Sequence, residues 1–191
     1  MKERGIIFNG DMVLATLSGQ KTQTRRIVKP QPDEDGLARL RGGPWMDTSE
    51  RVYRCPYGEV GDRLWIRETS GLQVRRDALG GTGEFRVYRA SNPDAIRFTT
   101  ASGKIYPIKW IPSIHMPRHA SRILLEITDV RVERLNDISE EDAKAEGAPT
   151  ELCLIGDKHF LGFRTLWKSI YGAESWNENP WVWAIEFKQI K

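Results

Sequence analysis

Apolar positions along this chain follow two rhythms, and the rhythm changes often. Ile6-Ile7-Phe8 opens as a short strand. Asn9-Gly10-Asp11 interrupts it, and Asp11 is placed to cap a helix through Met12, Val13, Leu14 and Leu17, with Gly19 where such a helix ends. Lys21 to Arg26 is polar and rich in Thr, an extended segment or turn. Pro and Gly signals around the acidic Asp33-Glu34-Asp35 mark residues 30–43 as a loop. After a Gly61-Asp62 turn, residues 63–69 alternate as a strand. Leu64, Ile66 and Glu68 share one face, and Arg63, Trp65 and Arg67 share the other.

Residues 71–120 predict one strand at 85–88 among turns, then a wandering loop punctuated by Pro107, Pro112 and Pro117. A strand pattern returns over residues 122–128 and continues over 130–133. Ser139-Glu140-Glu141-Asp142 reads as a capping box for a short helix that Gly147 closes. Asp157 is placed to begin a further helix, with Phe160, Phe163, Trp167 and Ile170 at helical spacing and Gly172 at its end. The last run alternates cleanly, with Trp181, Trp183, Ile185 and Phe187 on one face. Strands separated by short helices, with few βαβ spacings, predict an α+β fold around a mainly antiparallel sheet or small barrel.

With 191 residues the chain is long enough for one substantial domain. Its 39% apolar and 29% charged content, with seven Trp, fits a globular protein and not a disordered one. No apolar run approaches a membrane span, no signal-peptide core opens the chain, and Cys55 and Cys153 cannot form a disulfide framework. A monomer in a reducing cytoplasm, away from membranes, is the expectation. Net charge is only +3, but residues 71–120 hold eight Lys or Arg against three acids, a local +5 that leaves −2 for the remainder. Such a segment suits an anionic partner such as RNA, or is simply a solvated arginine-rich surface.

The most chemically loaded stretch is Gly19-Gln20-Lys21-Thr22-Gln23-Thr24-Arg25-Arg26. A lysine beside a hydroxyl can act as its base when burial lowers the amine's proton affinity, and a neighbouring arginine can hold a carbonyl or phosphate oxygen. Residues 21 and 24 lie on opposite faces of an ideal strand, so their convergence needs a turn, a bulge or a helical step. Glu146 sits at a helix C-terminus, where a carboxylate is disfavoured unless a cation such as Lys21 compensates. Glu68, on an apolar strand face, is either a structural ion pair or a site residue. His115 and His119 have the spacing of a helical metal pair, but Pro117 argues against a helix and no acid or thiol ligand lies close in sequence, so no metal is expected. Trp45, Trp65 and Trp110 are candidates to stack on a base.

Three ordered motifs carry a resemblance. Gly19 to Arg26 resembles the GxKTxTxR signature of the activating-signal-cointegrator homology (ASCH) superfamily. Gly61-Asp62-Arg63-Leu64-Trp65-Ile66 is similar to its GD-x-L strand, and Trp181-Val182-Trp183-Ala184-Ile185-Glu186-Phe187 to its terminal strand. The likeness covers residues 1–28, 58–70 and 120–190, with 29–57 and 71–119 as insertions in a single domain, as in longer phage and prophage members. It implies a pseudouridine-synthase-and-archaeosine-transglycosylase-like (PUA-like) fold: a mixed, mainly antiparallel β-barrel with short flanking helices. Small amidohydrolases of the superfamily remove the acyl group of N4-acetylcytidine with a lysine, a threonine and a glutamate. These fall on Lys21, Thr24 and Glu146, with Arg26, Glu68, Trp65 and Arg67 as substrate-binding candidates and no cofactor. The implied activity is metal-independent deacylation of an N4-acylated pyrimidine nucleoside. The alternatives are an RNA or single-stranded nucleic-acid binding module, or a ribonuclease. Lys21→Ala and Thr24→Ala are each expected to remove turnover while leaving the melting point nearly unchanged.

Overall fold

The computed structural model describes residues 1–39, 41–76, 81–151 and 158–190. In chain order, β1 (Glu3–Ile7), α1 (Gly10–Leu17) and β2 (Gln23–Ile27) lead into three two-residue strands, β3 (Ala38–Arg39), β4 (Trp45–Met46) and β5 (Val52–Tyr53). There follow β6 (Arg63–Arg67), β7 (Ser70–Arg76), β8 (Thr82–Tyr88), β9 (Ile96–Thr99) and β10 (Ile105–Pro107). The chain ends with β11 (Leu124–Arg134), α2 (Glu140–Ala145), α3 (Lys158–Tyr171), α4 (Ala173–Asn177) and β12 (Trp181–Ile190). The class is α+β, mixed and mainly antiparallel. The main sheet has the order β1-β6-β11-β12-β2, with β1 and β6 parallel and every other pair antiparallel. Among the described residues no ladder joins the two edge strands, β1 and β2, so pairing leaves the sheet open where a closed barrel was the expectation.

The terminal strand explains the layering. Its predicted face does turn inward: Trp183, Ile185 and Phe187 enter a core with Ile6, Phe8, Leu64, Ile66, Leu125 and Ile127. Val182, on the other face, is equally buried, in a second core of Leu135, Ile138, Ala143, Phe163, Trp167 and Trp176. A strand covered on both sides must be apolar at successive positions, and each such side chain contributes about 1.5–3 kcal/mol of burial. α2, α3 and α4 therefore pack on this second face, against Val182 of β12 and Ile27 of β2, while α1 places Val13 in the first core.

Three local expectations change. The cap of α1 is Asn9, not Asp11: the Asn9 side chain accepts a hydrogen bond from the Met12 amide at 2.9 Å, while Asp11 lies in the first turn. Asn9 has the extended backbone a cap requires, one residue before the helix starts. Residues 71–120 are not one strand and a loop but hold two ribbons, β7–β8 and β9–β10, whose strands pair with each other and not with the main sheet. Residues 30–43 are not wholly loop either, since β3 pairs with β4 and β4 with β5. The Ser139 cap on α2 is as expected, with its hydroxyl accepting from the Asp142 amide at 3.0 Å. Gly147 follows at φ 72°. Asp157, the expected start of α3, and Cys153 lie outside the described residues.

Candidate active site

Lys21 does not belong to a strand. It lies in the turn between α1 and β2, pinned by its own amide to the Ala15 carbonyl at 2.9 Å. Thr22 beside it donates to the Ala145 carbonyl at 2.7 Å and accepts from the Phe187 amide at 2.9 Å. The chain is thus stitched to the end of α1, the end of α2 and β12. Gly147 permits this approach: a Cβ there would sit 2.8 Å from the Ala15 Cβ and 3.1 Å from the Lys21 Cβ, and its φ of 72° favours glycine. The turn also removes the strand-parity objection, because only Thr24 lies on β2.

The Lys21 side chain is fully enclosed. Its Nζ donates to Glu146 Oε2 at 2.6 Å and to the Glu146 carbonyl at 2.8 Å, so the cation compensates both the carboxylate and the exposed end of α2. Burial pulls the Lys21 proton affinity below the ordinary lysine value. The Glu146 charge and hydrogen bond resist that pull, and Arg26 and Arg25 add to it. Arg25, also buried, reaches Glu146 Oε1 at 3.4 Å.

Thr24 is 1% exposed and paired in register with Ile185. With Glu146, Arg25 and Arg26 it lines a chamber of about 10 Å³, walled otherwise by Met12, Phe163, Trp167, Ile170 and Tyr171. That volume accommodates a single water. Met12, Arg26 and Ile170 are shared with an adjoining groove of about 340 Å³ that also takes in Ile7, Asn9, Tyr57 and Arg67. Arg26 stands between the two, its Nη1 donating to the Tyr171 hydroxyl at 3.2 Å and its Nη2 to the Ile7 carbonyl at 2.9 Å. The chamber therefore joins Thr24, Arg26 and Glu146, whereas Lys21 does not line it and is linked to it through Glu146, which accepts both described hydrogen bonds of the lysine amine.

The other candidates stand elsewhere. Glu68 is buried and held by Arg122 through two parallel bonds, Nε to Oε1 at 2.8 Å and Nη2 to Oε2 at 2.9 Å, while the guanidinium stacks 4.1 Å from the Tyr88 ring. Of the two readings left open by sequence, this geometry is that of an ion pair. Trp65 lies across Gly5, where a Cβ would meet its ring at 2.8 Å, and carries Arg67 at 5.4 Å. Arg67 donates to the carbonyls of Ser113 and Ile114, and of these three only Arg67 borders the groove beside the chamber. His115 and His119 fall in separate short 3-10 turns, and among the described residues no group of three or more His, Cys, Asp or Glu is placed to hold a metal.

Sequence reasoning missed the polar lattice behind the pair. Gln23 and Arg25, alternate residues on β2, meet Asp142, Glu133 and Glu186. Arg25 Nη2 donates to Asp142 Oδ2 at 3.1 Å and its Nε to Glu133 Oε1 at 2.7 Å, and Arg131 bonds Asp142, Glu133 and Glu186. The signal was present in the period-two spacing of residues 23 and 25. Burial opposes ionisation of Asp142, but the Gln23 hydrogen bond and the Arg25 and Arg131 charges outweigh it and hold its pKa below the ordinary carboxylate value. Its stabilising contribution is complete above the unfolded-state pKa of about 3.9 and is lost as pH falls through the lower folded value. Asp142→Asn is expected to flatten the acid limb of stability, read as urea midpoints between about pH 5 and pH 2.

No helix of the described residues is long and apolar enough to cross a membrane. No protein-family model matches the chain, and no curated protein does. Among solved structures, the chain is similar to the ASCH domain from Lactobacillus crispatus JV V101, at TM-score 0.43 and 14% identity over 98% of this chain and 79% of that one.

Proposed function

We propose that the protein is a metal-independent amide hydrolase acting on an N4-acylated cytosine nucleoside. The observation that carries the reading is the enclosed Lys21–Glu146 pair, 2.6 Å apart, with its carboxylate opening on the same chamber as Thr24. The substrate class rests on the resemblance of residues 19–26 to the ASCH signature. Lys21, in the neutral form that burial favours, takes the Thr24 hydroxyl proton and becomes the ammonium as Oγ1 forms a bond to the acyl carbonyl carbon. Arg26 stabilises the oxyanion. The C–N bond then breaks, and the Lys21 ammonium returns its proton to the departing exocyclic amine while Glu146 keeps the lysine oriented. Water, losing a proton to Lys21, adds to the threonine ester; the bond from the acyl carbon to Oγ1 breaks, Lys21 returns that proton to Thr24 Oγ1, and the carboxylic acid leaves with both groups restored.

A second reading, nucleic-acid binding, is favoured by the β7–β10 ribbons. Phe85 is 45% exposed beneath Arg75, and Tyr106, 36% exposed beneath Lys104, stacks on Phe98 at 4.5 Å. Exposed rings among cations are the surface that single strands use. Incubation with N4-acetylcytidine and, separately, with a short labelled RNA tests both. The hydrolase reading expects cytidine and acetate, intact RNA, and a kcat/KM that rises with pH to a plateau below the ordinary lysine pKa of about 10.4. Untouched N4-acetylcytidine together with salt-sensitive RNA retention overturns it in favour of the ribbons.

A further inference from the structure

A water-sized chamber cannot admit an acyl group as it stands, so a wall has to move, and the hydrogen bonds single out which one. Met12, Arg26 and Ile170 line both the 10 Å³ chamber and the 340 Å³ groove; of these, Arg26 has both Nη atoms held, by Tyr171 and by the Ile7 carbonyl. The third nitrogen of the same guanidinium, Nε, is buried with no acceptor among the described residues. An unsatisfied buried donor is costly, and in a native protein it calls for an explanation. The Tyr171 ring is itself fixed against Trp167, centroids 4.3 Å apart, so the hydroxyl is presented from a stiff platform at the end of α3.

We propose that Tyr171 is a positioning residue whose hydroxyl latches Arg26 across the chamber mouth until a substrate carbonyl takes over as the acceptor. In the latched state the guanidinium closes the way to Thr24. In the released state the carbonyl oxygen replaces the tyrosine oxygen, Nε gains an acceptor, and the acyl carbon lies beside the threonine. The exchange costs Arg26 no hydrogen bond and satisfies Nε as well, so opening is cheap only for a ligand that brings an acceptor. The inference rests on the reading of Thr24 as the reacting group, but its physical content, access to position 24, can be measured without any substrate.

The test places a thiol in the chamber by Thr24→Cys and follows its reaction with methyl methanethiosulfonate, located by peptide mass so that the native cysteines do not interfere. The latch predicts labelling about tenfold faster when Tyr171→Phe, which keeps the ring and removes only the oxygen, is added. Arg26→Lys, which cannot span both acceptors, gives the same acceleration. In the chain with Thr24 intact, Tyr171→Phe is expected to raise kcat/KM for N4-acetylcytidine about tenfold through a lower KM, because the substrate carbonyl no longer has to displace the tyrosine oxygen from Arg26, a split that general loosening of the fold does not produce. Equal labelling rates with and without Tyr171→Phe overturn the latch even if N4-acetylcytidine is hydrolysed. Accelerated labelling in a protein that leaves N4-acetylcytidine intact upholds the latch and removes the substrate reading alone.

Discussion

Lys21→Ala is expected to lower folding stability by about 3 kcal/mol, the lower end of what breaking a buried ion pair costs, and to abolish turnover. The reason lies in what remains. Among the described residues Glu146, 3% exposed, keeps the longer 3.4 Å contact to Arg25, while Oε2 and the carbonyl at the end of α2 lose the lysine donor. For a chain of this size the loss corresponds to a melting temperature about 6–12 °C lower, measured by calorimetry. The expectation from sequence alone, that this substitution leaves the melting point nearly unchanged, is therefore revised: it treats the lysine as a cleft residue, whereas its amine is wholly enclosed. Lys21→Met combined with Glu146→Leu removes both charges together and is expected to recover most of the stability and none of the activity. That recovery separates the catalytic demand for the pair from its structural cost.

Thr24→Ala is expected to do the reverse. The substitution removes a hydroxyl and a methyl from a buried strand position, worth about 1 kcal/mol or about 2–4 °C, yet kcat for N4-acetylcytidine is expected to fall on the order of 10⁴-fold, the scale seen when one member of an acyl-transfer set is disabled. Steady-state rates and thermal melts on the same two preparations make the contrast: Lys21→Ala loses both properties, Thr24→Ala only one.

How much of this was legible follows from where the physics is local. The strand at Leu64 and Ile66, the Ser139 cap, the Gly147 stop and the inward face of Trp183 and Ile185 depend on period and capping, so the residues themselves announce them. The Lys21–Glu146 pair was legible as a need, a carboxylate at a helix end wanting a cation, but its partner lies 125 residues away and only the fold brings it there. A separation of 117 residues likewise hid the Arg25–Asp142 leg of the lattice, while Arg131 lies only 11 residues from Asp142. Tyr171 carried a signal that passed unused, since it continues the Phe163 and Trp167 spacing by one more turn of α3. The ribbons of residues 71–120 were harder to read because strands that pair only with each other lack the one-sided apolar alternation that marks a strand on a core.

The central claim is that Thr24 carries the acyl group between substrate and water. Rapid quenching of the protein with excess N4-acetylcytidine, followed by mass analysis of the peptide that contains Thr24, tests it most directly. The account predicts one acetyl group on Thr24, present before the first turnover is complete and absent from the Thr24→Ala protein. Steady release of cytidine with no acetylated peptide at any quench time, and with Thr24→Ala keeping its rate, would contradict it.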